Sequence, residues 1–224
     1  MFGIGIATYC RLNGESASYL ERCLTGIVSQ THSDYRVYLI GDRYENDAEF
    51  WHLSKIIPPE KLYAENLPVA QERDSGLTGE ALWCCGGVNA MNTALQKMKE
   101  DRCEIYCHLD DDDMWMSHHL QTLADAYEKY SEAAFINTCA FCPGLGTYPK
   151  MDVPDGYNNL EIGCGQLCHS TASWRLSQIP YEYMAANVAA DALMWERIRA
   201  AGLTTVYIPS VTVVKNMELS EPLR

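Results

Sequence analysis

Positive charge is what this sequence has least of. Its 224 residues hold 17 lysines and arginines against 30 aspartates and glutamates, a formal net charge of −13. Phosphate-backbone affinity comes mainly from Lys and Arg neutralising many charges, and the chain has no basic stripe, so nucleic acid is excluded as a general partner. An anionic membrane surface is disfavoured for the same reason. A phosphorylated ligand would need a metal to mediate its contact with so acidic a chain.

Long hydrophobic runs are missing as well. No window approaches 18 uninterrupted apolar residues, so no membrane span is expected. The opening "MFGIGIATYC" has no basic leader before its apolar stretch and no small-residue cleavage site, which makes cytoplasmic the default address. Internal repeats and low-complexity tracts are absent too. Hydrophobic content of 47% and charged content of 21% are ordinary for a soluble globular protein. The length fits one domain, residues 1–224.

Cysteine, by contrast, is plentiful: ten residues, scattered, several of them in apolar stretches where free Cys acts as a small buried hydrophobe. A disulfide framework is not expected in a chain of this length without a secretion signal. Cys139-x-x-Cys142 followed by Cys164-x3-Cys168 and His169 offers a zinc reading, weakened by loose spacing and a Gly/Pro-rich link.

Apolar runs at "FGIGIATY" (2–9), "YRVYLIGD" (35–42), "KLYAENLP" (61–68), "CEIYCHLD" (103–110), "AAFINTCAF" (133–141) and "TTVYIPSVTVV" (204–214) read as strands. Helical spacing marks 16–30, with Ser16 or Ser18 as N-cap, then 47–57, 86–101, 117–132 and 190–201. Residues 142–163 are rich in Gly, Pro and Asn and read as a long surface loop. Strands alternating with helices imply an α/β fold, a mostly parallel central sheet with helices on both faces. Ligands bind such sheets outside the carboxyl ends of the strands.

That rule gives meaning to "HLDDDDMW" (108–115), where a strand runs into four consecutive aspartates. Adjacent carboxylates raise one another's pKa unless a cation holds them. One reading is a solvated acidic turn; the other is a divalent-metal site. Three strand ends favour the site, because they bring Thr8–Arg11, Asp42 and Asp110–Asp113 to one rim.

The stretch "GIATYCRLNGESASYLERCLTGIVSQTHSDYRVYLIGD" resembles the opening of the family 2-type glycosyltransferases, which have the GT-A fold. "GGVNAMNTAL" resembles that family's Gly-Val helix start, "HLDDDDMW" its DxD-containing segment, and "ADALMWERIRAAG" its later helix with an acidic residue before an apolar-Trp run. The four blocks stand in family order and cover nearly the whole chain.

The resemblance implies a UDP-sugar donor, a hydroxyl acceptor on a glycan or other molecule, and Mn²⁺ or Mg²⁺. Such hard cations prefer carboxylate oxygens and neutralise a departing diphosphate. By the resemblance, Asp110, Asp112 and Asp113 supply metal ligands, and Asp110 and Asp111 stand at the donor. Asp42 accepts from the base, with Thr8, Tyr9 and Arg11 lining the same pocket. Asp191 acts as general base in an inverting displacement, and Lys215 stands where a metal-binding His often stands, free to touch the diphosphate. Residues 1–115 would form the nucleotide-binding half and 116–224 the acceptor-binding half.

Competing readings remain for single residues: core packing for Tyr9, a turn aspartate for Asp42 and a dipole-favoured helix aspartate for Asp191. Trp115, Trp174 and Trp195 read as core. His108, His118, His119 and His169 are substitutes for the missing metal-binding His. Tyr148, Tyr157, Asn158 and Asn159 fall where acceptor specificity is encoded, with Gly144, Gly146, Gly163 and Gly165 letting their loop close. The family's usual Arg before the Asn of the Gly-Val block is Met91 here. A nucleotidyltransferase and a non-enzymatic metal- or carbohydrate-binding module are the rival functions. "ATYCRLNGES" fits the first poorly, and the aspartate run lacks the spacing of an EF-hand loop.

Overall fold

A computed structural model of the chain describes residues 1–148, 169–175 and 188–215. The first half runs β1 (Phe2–Thr8), α1 (Ser16–Val28), β2 (Tyr35–Gly41), α2 (Asp47–Ser54), β3 (Leu62–Asn66), α3 (Gly79–Cys85) and α4 (Val88–Glu100). Then come β4 (Ile105–His108), β5 (Met114–Trp115), α5 (His119–Lys129), β6 (Phe135–Cys142), β7 (Gly146–Tyr148), β8 (Ala172–Trp174), α6 (Ala190–Ala200) and β9 (Thr205–Val214).

One sheet takes up all these strands in the order β3-β2-β1-β4-β8-β6-β9-β5, with β7 on the side of β6. Strands β1 to β4 pair in parallel, as do β6 and β9, so most paired residues lie in parallel ladders. β8, β7 and β5 join antiparallel. The α/β expectation with helices on both faces holds.

The composition of β1 shows how the two faces form. In "FGIGIAT" the odd turn of the pleat carries glycine and alanine, the even turn Phe2, Ile4 and Ile6. The large residues join Leu20, Leu24 and Ile27 of α1 in one core. On the other face a Cβ at Gly3 would come within 2.8 Å of Met98, and one at Gly5 within 2.6 Å of the His108 ring. Glycine there lets α4 lie directly on the strand. Tyr38 and Ile40 of β2 and Tyr106 of β4 complete this second core with Val88, Leu95 and Met98.

Register aligns three strand ends. Thr8 pairs with Gly41 and Gly5 with His108, and the ladder continues as Asp42 N donates to Thr8 O (2.7 Å) and Leu109 N to Gly5 O (2.9 Å). Asp42 and the aspartate run therefore leave the sheet on either side of the β1 end, at the same edge.

Local expectations differ at a few points. Glu15, not a serine, caps α1, while Ser16 opens the helix and its Oγ accepts from Arg11 N at 2.6 Å. The helix α3 lacks the apolar periodicity that would announce it, and α2 stops at Ser54 rather than 57. The segment read as a long loop from 142 begins as a hairpin, β7 folding back on β6; its later residues lie outside those described.

Candidate active site

Beyond Leu109 the chain turns back on itself, Asp113 N donating to Asp110 O at 3.0 Å. The turn fans the four carboxylates apart, and each meets a different set of neighbours. Asp111 points back to β1, accepting from Thr8 Oγ1 at 2.7 Å and from both terminal nitrogens of Arg11 at 2.9 and 2.5 Å. Asp113 is fully buried and accepts from Ser170 Oγ at 2.6 Å and Lys215 Nζ at 3.1 Å. Asp110 meets the same ammonium at 3.2 Å and His169 Nδ1 at 3.2 Å. Asp112 is half-buried, its carboxylate 3.8 Å from Arg11 Nη2, while its carbonyl accepts from Arg22.

The pKa shifts follow these contacts. Burial acts to raise Asp110, but the Lys215 charge and the His169 contact outweigh it and hold the carboxyl well below the usual range. Asp112 is less well compensated: burial, then the charges of Asp111, Asp110 and Asp113, push it up to about 7 against the opposing Arg11 charge.

The run thus tolerates itself because Arg11 and Lys215 are drawn into it. Among the described residues no three His, Cys, Asp or Glu side chains meet at one point as a metal cage. Two carboxylates, Asp110 and Asp113, do converge on one cation, and that cation is the Lys215 ammonium. The two carboxylates around that positive charge, with Asp112 beside them in the turn, are hard-oxygen donors of the kind a divalent ion takes.

The other end of the rim is built around Asp42, which is 2% exposed. Arg73, in the loop between β3 and α3, donates Nε to Asp42 Oδ2 at 3.1 Å, Nη1 to Glu45 Oε1 at 2.8 Å, and Nη2 to the Asp42 and Arg43 carbonyls. Asp42 Oδ1 is buried with no partner among the described residues. Burial raises the Asp42 pKa, and Arg73 opposes that. Tyr9, 38% exposed, lies under two guanidinium groups, Arg11 at 4.8 Å and Arg73 at 5.3 Å from its ring centre. It is not a core residue.

Glu72 stands beside Arg73. Its Oε1 accepts from Asn89 N at 2.9 Å in the first turn of α4, and its buried Oε2 likewise has no partner among the described residues. Burial raises its pKa, with the Asp42 charge adding to the rise. Glu72 and Arg73 escaped the sequence reading, since "QERDSG" is a polar loop with no period or motif to mark it. Ser170 was also not placed on the rim, because only the fold carries residue 170 to residue 113.

Asp191 opens α6, its Oδ1 accepting from Ala192 N at 2.7 Å, and its charge is felt at Cys84 of α3. One turn on, Trp195 is core as expected, packing edge-on to Trp174 (5.9 Å) and Phe135 (5.1 Å) and 6.0 Å from the His169 ring. Trp174 and Trp115 are also buried, Trp115 donating to Ser170 O at 2.8 Å. Of the four histidines considered, His169 bonds the tetrad; His119 is buried against Thr212 and His118 is exposed. Cys139 bonds the Tyr207 hydroxyl at 2.8 Å, and Tyr148 packs on the core. Cys164, Cys168, Tyr157, Asn158, Asn159, Gly163 and Gly165 lie outside the described residues.

No protein-family model matches the sequence. A protein of Acanthamoeba polyphaga mimivirus, "Uncharacterized glycosyltransferase R139", is 37% identical over 228 residues, covering 94% of this chain and 92% of that protein. The chain belongs to the glycosyltransferases.

Solved structures agree on the fold of this glycosyltransferase. S. aureus TarS 1-349 superposes with a TM-score of 0.71 at 16% identity, over 96% of this chain. The mannosyltransferase PcManGT from Pyrobaculum calidifontis, solved with GDP-Man and Mn²⁺, gives 0.68 at 14% identity over 99% of this chain. The chain spans 60% and 58% of those two solved chains. The glycosyltransferase fold here is the GT-A type that the sequence resemblance implied. No helix among the described residues is long and apolar enough to cross a membrane.

Proposed function

We propose that the chain moves a sugar from a nucleotide-sugar, in the first instance a UDP-sugar, to a hydroxyl of a glycan or another acceptor. One observation carries this: the aligned ends of β1, β2 and β4 put Thr8, Asp42 and the four aspartates on a single rim with Arg11, Arg73 and Lys215 among them. TarS, which shares the fold, has been solved with UDP and with UDP-GlcNAc, which supports a nucleotide-sugar donor.

In this reading residues 1–115 hold the nucleotide and 116–224 the acceptor. Asp42 Oδ1 accepts the ring N–H of the base, and Tyr9 offers it a flat face. Asp110 takes the ribose. Asp111 holds Arg11, which with Thr8 closes the pocket on the diphosphate side. Mn²⁺ or Mg²⁺ would be held by Asp112 with Asp110 and Asp113, and when bound would neutralise charge on the departing diphosphate. Asp191 takes the proton of the acceptor hydroxyl as its oxygen bonds the anomeric carbon. The bond from that carbon to the diphosphate breaks with its electron pair leaving on the diphosphate, so the configuration inverts.

Calorimetric titration of the protein with UDP and with GDP, each with Mn²⁺, tests the reading. Saturable binding, tighter for UDP, is expected; absence of binding by either nucleotide would overturn it.

A further inference from the structure

We propose that the Lys215 ammonium competes with the divalent ion for the position between Asp110 and Asp113, so that the protein carries its own removable counter-ion at the donor site. The inference rests on the nucleotide-sugar reading and adds a rule for loading the site.

The position of Lys215 is fixed by backbone pairing. β5 and β9 run antiparallel with Met114 opposite Val214 and Trp115 opposite Val213, which sets Lys215 across from Asp113. Lys215 N donates to Phe141 O at 2.9 Å, extending the β6–β9 ladder by one residue. The ammonium therefore reaches Asp113 at 3.1 Å and Asp110 at 3.2 Å from an anchored stem. Its side chain is 29% exposed, so it retains a way out toward the rim.

Competition follows from electrostatics. A divalent ion within about 4 Å of an ammonium is repelled in proportion to both charges, strongly so where water is partly excluded. Ion and ammonium cannot both sit between the same two carboxylates. A carboxylate–ammonium contact is a charge-assisted hydrogen bond, stronger than one between neutral groups. An incoming ion must displace two of them. The donor's diphosphate offers the displaced ammonium new anionic oxygens, so nucleotide and ion would load together.

The test is Mn²⁺ affinity in the absence of nucleotide, by calorimetry or by electron paramagnetic resonance of free Mn²⁺. Lys215→Met keeps most of the stem and removes the charge; it should bind Mn²⁺ about tenfold more tightly than the wild type. Lys215→Arg keeps the charge and should bind it as weakly as the wild type. A Met variant that binds Mn²⁺ no more tightly than the wild type overturns the inference. Should Met at 215 prevent folding, Lys215→Gln gives the same reading with a neutral polar side chain. Wild-type binding of UDP with Mn²⁺, measured alongside, separates the two ideas. If it is present while the variants show no gain, only the competition fails. If nucleotide never binds, the nucleotide-sugar reading itself falls.

Discussion

The two ends of the rim handle negative charge in opposite ways. Around Asp42 the fold leaves acceptors open: Oδ1 of Asp42 and Oε2 of Glu72 are buried and find no partner among the described residues. Around Asp110 to Asp113 the fold closes acceptors off, tying Asp111 to Arg11 and binding Asp110 and Asp113 to one lysine. A buried oxygen without a hydrogen bond costs about 1–3 kcal/mol. The first end therefore carries a standing cost that only an N–H or O–H donor relieves. At the second end Asp110, Asp111 and Asp113 are already engaged and must rearrange to receive a cation or an anion. One end is preorganised for a neutral, hydrogen-bonding group and the other is provisional, which suits the nucleoside and the diphosphate of the proposed donor.

The largest expected effect lies outside both ends. Asp191→Asn should lower transfer about 10²–10⁴-fold, the range of general-base catalysis, with nucleotide affinity unchanged. Initial rates beside a nucleotide titration check it. A fall in affinity equal to the fall in rate would place Asp191 in the donor pocket instead.

Next comes the contrast itself. Asp42→Ala removes the acceptor that the proposed function gives to the base, so affinity for uridine and for UDP should fall by the same factor, about tenfold or more. A loss confined to UDP would mean that Asp42 answers to the diphosphate, and the two ends would not be separate.

The smallest effect sharpens the provisional end. The Asp112 carboxyl is raised to about 7, so the folded protein binds this proton more readily than the unfolded chain does. Stability from this group is complete below the ordinary carboxylate range and is lost as pH rises toward about 7. Asp112→Asn removes that loss. In metal-free buffer the variant should melt at least about 3 °C above the wild type near pH 8, and the gap should vanish near pH 4. A gap that did not change with pH would mean that Asp112 is not crowded by its neighbours.

Much of this was legible in the sequence because it rests on period and punctuation. The apolar run "FGIGIATY" announces a strand, and the apolar runs ending in Asp42 and Asp110 name the rim. What stayed hidden was pairing across the chain. Nothing local in "QERDSG" says that Arg73 reaches back to Asp42, a span of 31 positions, or that Ser170 will meet Asp113. The N-cap position of α1 falls on Glu15, which makes no side-chain cap hydrogen bond, while Ser16 accepts from the Arg11 amide. The tetrad's identity as a site was readable, but its partition was not. Which aspartate faces which cation is decided by the turn at 110–113 and the register of β9, neither of which has a compositional signature.

The bare face of β1 gives a position inside the sheet a hold on the rim. A methyl group at residue 5 would stand 2.6 Å from the His108 ring. His108 lies edge-on to His169 at 5.2 Å, and His169 holds Asp110. The shove would travel along two imidazoles to the carboxylate cluster. Anyone wishing to silence this protein while sparing its surface would start at a residue with no side chain at all.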